Sequence, residues 1–124
     1  MVNNPTKPYD LEERTFKFAR RCRDYIKTLP RTITNIEYGK QLARSSGSQA
    51  ANYIEANEAQ STKDFIYRIK ICKKETKETI LWLKLAIPQN NQEAEQQYLL
   101  QEAGELMNIF GAIFRNTNNI EKDN

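Results

Sequence analysis

Residues 44–65 read RSSGSQAANYIEANEAQSTKDF, and the way this stretch is read decides the fold. It has none of the leucines that usually fill a core, yet no proline breaks it before Ser61. Gly39, Ala43, Ser46 and Ala50 recur at helical steps, a row of small residues that lets a neighbouring helix approach closely. Leu42, Tyr53 and Ile54 extend the same apolar side. Arg44, Ser48, Asn52 and Glu55 follow one another at steps of four, four and three on the other side. That polar ladder has two readings. It is either an exposed face with local hydrogen bonds, worth a few tenths of a kcal/mol per pair, or a seam completed by another subunit or a ligand.

Three further segments have the same period. The first carries Leu11, Phe18, Cys22, Ile26 and Leu29; the third, Phe65, Ile69, Cys72, Thr76, Ile80, Leu83 and Ile87; the fourth, Leu99, Ala103, Leu106, Phe110, Ile113 and Phe114. Steps of three and four dominate, and no alternating strand pattern competes. Each segment opens on a capping pattern in which a short polar side chain can accept from an orphan amide: Asp10 with Glu13, Thr34 with Glu37, Ser61 with Asp64, Asn90 with Glu93. Ile33 is placed to staple onto Tyr38. Short connectors around Pro30, Gln60 and Pro88 make successive helices antiparallel neighbours. The expected fold is all-α: an antiparallel, up-down-up-down four-helix bundle over residues 10–116. Residues 1–9 and 117–124 are expected to be flexible ends.

The chain has 124 residues, one domain's worth, with 28% charged and 39% hydrophobic residues. It has no histidine, and its two cysteines, Cys22 and Cys72, lie on core stripes without metal-type spacing. Ser-His and Cys-His nucleophile pairs, Glu-x-x-His di-iron sites and histidine zinc sites are therefore excluded. No glycine-rich phosphate loop is present. The buried-side hydroxyls Thr15, Ser46, Thr76 and Thr79 are explained by bonding to their own helix backbone. No catalytic residue, metal or cofactor is expected. No signal pattern and no run of ~20 apolar residues occur, so a cytoplasmic protein away from membranes is expected.

Charge gives the first functional direction. The net charge is only +3, but its distribution is uneven. On the third segment Lys63, Lys70, Lys73, Lys74, Lys77 and Lys84 share an arc of about 100° beside the core stripe. On the first, Arg14, Lys17, Arg20, Arg21, Arg23, Lys27 and Arg31 face only Asp24 as an acid between Arg14 and Arg31. The fourth segment is acidic, with Glu93, Glu95, Glu102 and Glu105. One basic and one acidic side are expected. The third segment also carries Tyr67, Ile71, Trp82 and Leu85 nearly opposite its core stripe. A second apolar stripe with a tryptophan points to a subunit interface.

With those residues in view, RSSGSQAANYIEANEAQSTKDFIYRIKICKKETKETILWLKL (44–85) closely resembles the four helix bundle proteins, or ribosomal-RNA intervening-sequence proteins. Arg44, Ser48, Asn52, Glu55 and Ala56, then Ser61, Asp64, Phe65 and Ile66, then Lys74, Glu75, Glu78, Thr79, Trp82 and Leu83 fit the family pattern. The outer helices match in length and period. The resemblance implies a small bacterial bundle forming a ring-shaped homopentamer. Some members are encoded within intervening sequences of large-subunit ribosomal RNA genes. A related branch accompanies reverse transcriptases of diversity-generating retroelements and binds nucleic acid and the transcriptase. No family catalytic residue is there to be carried over.

The expected function is a non-enzymatic homo-oligomer whose basic face binds nucleic acid, RNA or single-stranded DNA, with low sequence specificity. Lys63, Lys70, Lys73, Lys74, Lys77 and Lys84 with Arg14, Lys17 and Arg21 would hold the phosphates. Tyr67, Ile71, Trp82, Leu85, Arg44, Ser48, Asn52 and Glu55 would form the oligomer interface. The alternative is a scaffold for a partner protein such as a reverse transcriptase, without nucleic-acid contact.

Overall fold

The computed structural model describes residues 8–123, with side chains from 11 to 119. Four helices follow in order: α1 Pro8–Thr28, α2 Ile33–Asn57, α3 Thr62–Leu85 and α4 Glu93–Asp123, the last preceded by a 3-10 turn Asn90–Gln92. Each packs on the next, and α4 returns to α1, closing the four-helix bundle expected from the periodicity. Among the described residues there is no strand and no positive φ.

The helix starts follow local chemistry, with corrections to what the sequence led us to expect. Ser61 caps α3 by accepting from the Asp64 amide, as expected. The α2 cap is Thr32, which accepts from the Asn35 amide, so Thr34 lies inside the helix. Ile33, 84% exposed, staples nothing. Thr32 wins because Pro30 keeps the preceding chain out of a helix while Asn35 ties the connectors together. Its amide donates to the carbonyls of Pro30 and Ile87, and its oxygen accepts from the Ile87 amide. The first helix is already under way at Pro8, a residue suited to a first turn because its missing N–H is not needed there; Asp10 is therefore not its cap. Asn90 opens the 3-10 turn rather than capping α4. The expected tail beyond Asn116 is helical through Asp123, and of the expected flexible start, residues 1–7 lie outside the described residues.

The core is built from Leu11, Phe18, Cys22, Tyr25 and Leu29 of α1, Leu42 and Tyr53 of α2, Ile69, Cys72 and Leu83 of α3, and Leu99, Ala103, Leu106 and Phe110 of α4. Ala43, Ile54 and Ile87, expected inside, are exposed at the flanks of their helices. Between α2 and α3 the core contains polar groups. Thr79 donates its hydroxyl hydrogen to the Glu75 carbonyl, so in its 2.7 Å contact with Ser45 the serine is the donor. Thr76 donates to the Cys72 carbonyl, and the Cys72 thiol to that of Gln49. Fully buried Gln49 reaches α1 by donating to the Thr15 carbonyl. Most of these groups are satisfied, largely by backbone carbonyls, which keeps a polar layer affordable at the closest seam of the bundle; the buried Gln49 Oε1 has no partner among the described residues.

Candidate nucleic-acid interface

The lysines at 63, 70, 73, 74, 77 and 84 are all exposed on α3. None makes an ion pair among the described residues. The carboxylates of α3 itself and of α4 explain why. Glu75 and Glu78 turn toward α2, where Arg44 bridges them at 3.2 and 2.9 Å. Glu95, Glu102 and Glu105 turn toward α1. Asp64 and Glu93 sit in the first turns of α3 and α4, complementing the positive helix ends. The flank where α3 meets α4 is therefore left with cations.

Arg14, Lys17 and Arg21 have a different setting. Arg14 forms a two-pronged bond to Glu102 at 2.7 and 2.9 Å and reaches Glu105 at 2.8 Å. Arg21 grips Glu95 at 2.6 and 3.0 Å and lies 3.6 Å above the Tyr98 ring. The spacing explains the fit: seven residues separate both Arg14 from Arg21 and Glu95 from Glu102, so antiparallel helices bring both pairs into register. These bonds raise the Arg14 guanidinium further above its ordinary value. Glu105 is held below the ordinary carboxylate value, first by the Gln101 amide and then by Arg14. The basic first helix and acidic fourth helix are thus neighbours that neutralise each other, not the opposite sides expected from the sequence. They line an open cleft of about 700 Å³ in which Lys17 and Arg20 also stand. Lys17 alone of the three expected α1 contacts lacks an ion pair among the described residues.

The expected interface residues also divide. Tyr67 and Leu85 are exposed, by 59% and 40%, and Leu81 and Ile87 add to the outward apolar surface. Ile71 is half-buried. Trp82 is not an outward anchor: it packs against the core and stacks on Tyr38 with ring centres 6.0 Å apart. Its place at the α2 edge of α3 turns the indole inward. The polar ladder lies at the α2–α3 seam and is largely satisfied within the chain. Arg44 reaches α3, Asn52 donates to Ser48, and Arg68 donates to Asn52 at 2.9 Å. Glu55 is exposed and without an ion pair among the described residues.

Among the described residues no group of histidines, cysteines and acids could hold a metal. Cys22 and Cys72 are buried free thiols, pushed up to about 12 mainly by burial, and so are not poised as nucleophiles. No helix among the described residues is long and apolar enough to cross a membrane.

The 23S rRNA-intervening sequence protein family model matches residues 8–112, nearly the whole bundle. The chain belongs to that family. A crystal structure of a protein of unknown function from the S23 ribosomal protein family of Bacteroides thetaiotaomicron is 28% identical. The similarity covers 87% of this chain and 97% of that one, with a TM-score of 0.76. No curated protein matches the sequence. For this member of the intervening-sequence family, the residues that the resemblance rests on are explained mostly by packing. Ser61 caps, Thr79 and Glu75 join α3 to α2, and Arg44, Ser48 and Asn52 form the seam. Arg68 and Gln49, which sequence reasoning passed over, belong to the same seam; the Gln49 position within a small-residue row was the available signal.

Proposed function

We propose that this protein is a non-enzymatic, homo-oligomeric nucleic-acid-binding bundle that grips the RNA backbone with little sequence preference. One observation carries the reading: the six α3 lysines are exposed and unpaired among the described residues, while the carboxylates of α3 and α4 are drawn to other seams. A row of ammonium groups without local counter-charges attracts phosphates and releases their counterions on binding. Lys17, in the α1–α4 cleft, is a further cation without an ion pair among the described residues, whereas Arg14 and Arg21 contribute only where phosphate displaces their glutamates. Copies of the chain meet through Tyr67, Ile71 and Leu85, forming the homopentamer that the family resemblance implies and multiplying the lysine row.

The test is binding of a single-stranded oligoribonucleotide over a range of salt. Charge reversal of Lys70, Lys73, Lys74 and Lys77 to Glu should abolish it. Single replacements by Gln should each lower the slope of log affinity against log salt by about 0.7. Affinity unchanged by the fourfold reversal discards the basic-face reading. The outward apolar surface favours a second reading, a scaffold docking a partner protein. It would be preferred if the protein ignores RNA at low salt and yet Tyr67→Glu reduces its particle mass.

A further inference from the structure

The α3–α4 flank brings two cations onto one glycine. Gly111 of α4 is buried, and a methyl built on it would stand 3.4 Å from Arg115 Nη1 and 3.8 Å from Lys73 Nζ. The two charged nitrogens are therefore within about 7 Å of each other, over the same bare stretch of helix backbone. Neither side chain makes an ion pair among the described residues. Two exposed cations at this range repel only weakly in water, and an anion between them would turn that repulsion into attraction. A glycine inside a helix also carries a propensity penalty relative to alanine. Gly104, one turn pair earlier on α4, has nothing within 4 Å of its missing methyl. The convergence of cations is particular to Gly111.

We propose that Lys73, Arg115 and the bare backbone at Gly111 form a seat for one phosphate group, the fixed point in the RNA track along α3. This rests on the nucleic-acid reading above and adds Arg115 and Gly111 to it. Arg115 offers a planar fork to two phosphate oxygens, and Lys73 offers a compact charge to the third side. An oxygen drawn within hydrogen-bond reach of both cations occupies the space that a methyl would take. The neighbouring exposed lysines at 70 and 77, one helical turn to either side of Lys73, then meet the adjoining phosphates. The ligand is a phosphodiester of a single strand, and inorganic phosphate should compete for the same seat.

Gly111→Ala tests this without changing net charge. The methyl meets only the far ends of two flexible side chains, so the helix accepts it and should melt at a slightly higher temperature. Affinity for a twelve-nucleotide oligouridylate, read by fluorescence anisotropy at low salt, should nevertheless fall about fivefold. Gly104→Ala, with the same helix gain and open space, should bind as the parent does. Arg115→Gln should weaken binding, and adding Gly111→Ala to it should cost little more. Equal affinity of the parent, Gly111→Ala and Gly104→Ala proteins overturns the seat while leaving the lysine row intact. Should the parent ignore the oligonucleotide altogether, the nucleic-acid reading fails. The seat is then judged by inorganic phosphate alone: a thermal shift in the parent that is lost in Gly111→Ala retains it, and no shift in either overturns it.

Discussion

The α2–α3 and α1–α4 seams join antiparallel helices by opposite means. At α2–α3, short side chains bring the backbones together, and hydroxyls and a thiol bond out of water to backbone carbonyls and, for Ser45 and Thr79, to each other. At α1–α4, long arginine and glutamate side chains span an open cleft. The buried part of the first seam is indifferent to salt and exacting about volume; only Arg44, bridging Glu75 and Glu78 at its rim, brings an ion pair to it. The second is tolerant of volume and sensitive to ionic strength, because solvent and counterions reach it. The bundle thus places its specificity of packing in the buried α2–α3 layer and most of its responsiveness to the medium at α1–α4.

Volume gives the largest test of this contrast. Leu42, fully buried on α2, should cost about 2–5 kcal/mol when cut to Ala, read as a lower urea midpoint. A loss under ~1 kcal/mol would mean that the seam is looser than its hydrogen bonds suggest. Next comes Thr79→Val, which keeps the shape but leaves the Ser45 hydroxyl without its partner. The expected loss is about 1–3 kcal/mol, unchanged between low and high salt, and Ser45→Ala added to it should recover part. Arg14→Gln should cost less, under ~1 kcal/mol after allowing for solvent screening of a pair that is partly exposed. The difference between parent and variant should shrink in 1 M salt. A salt-independent Arg14 effect would place that pair with the buried seam instead.

The smallest effects, from single titrating groups, distinguish the two seams by pH. Glu105 is held below its ordinary value of 4.5, so its stabilisation is present above that pH and lost as pH falls through the depressed folded value. Acid should therefore loosen the α1–α4 side. Cys22 and Cys72 are raised from 9.0 to about 12, so their contribution is complete below pH 9 and lost as pH rises toward 12. Alkali should erode the core and its polar layer. Thiol labelling at pH 8 should consequently follow global unfolding; rapid labelling in the native state would contradict the burial of both cysteines.

Local pattern made the four helices legible, because a period of three to four and a capping serine need no knowledge of partners. Ser61 was readable for that reason, and so was the lysine arc. As candidate caps of α2, Thr32 and Thr34 look alike in sequence until the Asn35 links to Pro30 and Ile87 are known. Trp82 sits between the inner and outer arcs of α3, and only the position of Tyr38 decides which way it faces. The pairing of Arg14 and Arg21 with α4, and the meeting of Lys73 with Arg115, depend on the register between helices distant or separately placed in the chain. Periodicity is silent on register.

Because the connectors are short, the three successive helix pairs can form as neighbouring hairpins, each closing a small loop. The Arg–Glu contacts between the first and last helices join residues 74 to 91 positions apart. The chain should thus complete its circuit with a charge-guided step, and ionic strength should set the rate of that last closure more than the rates of the hairpins before it.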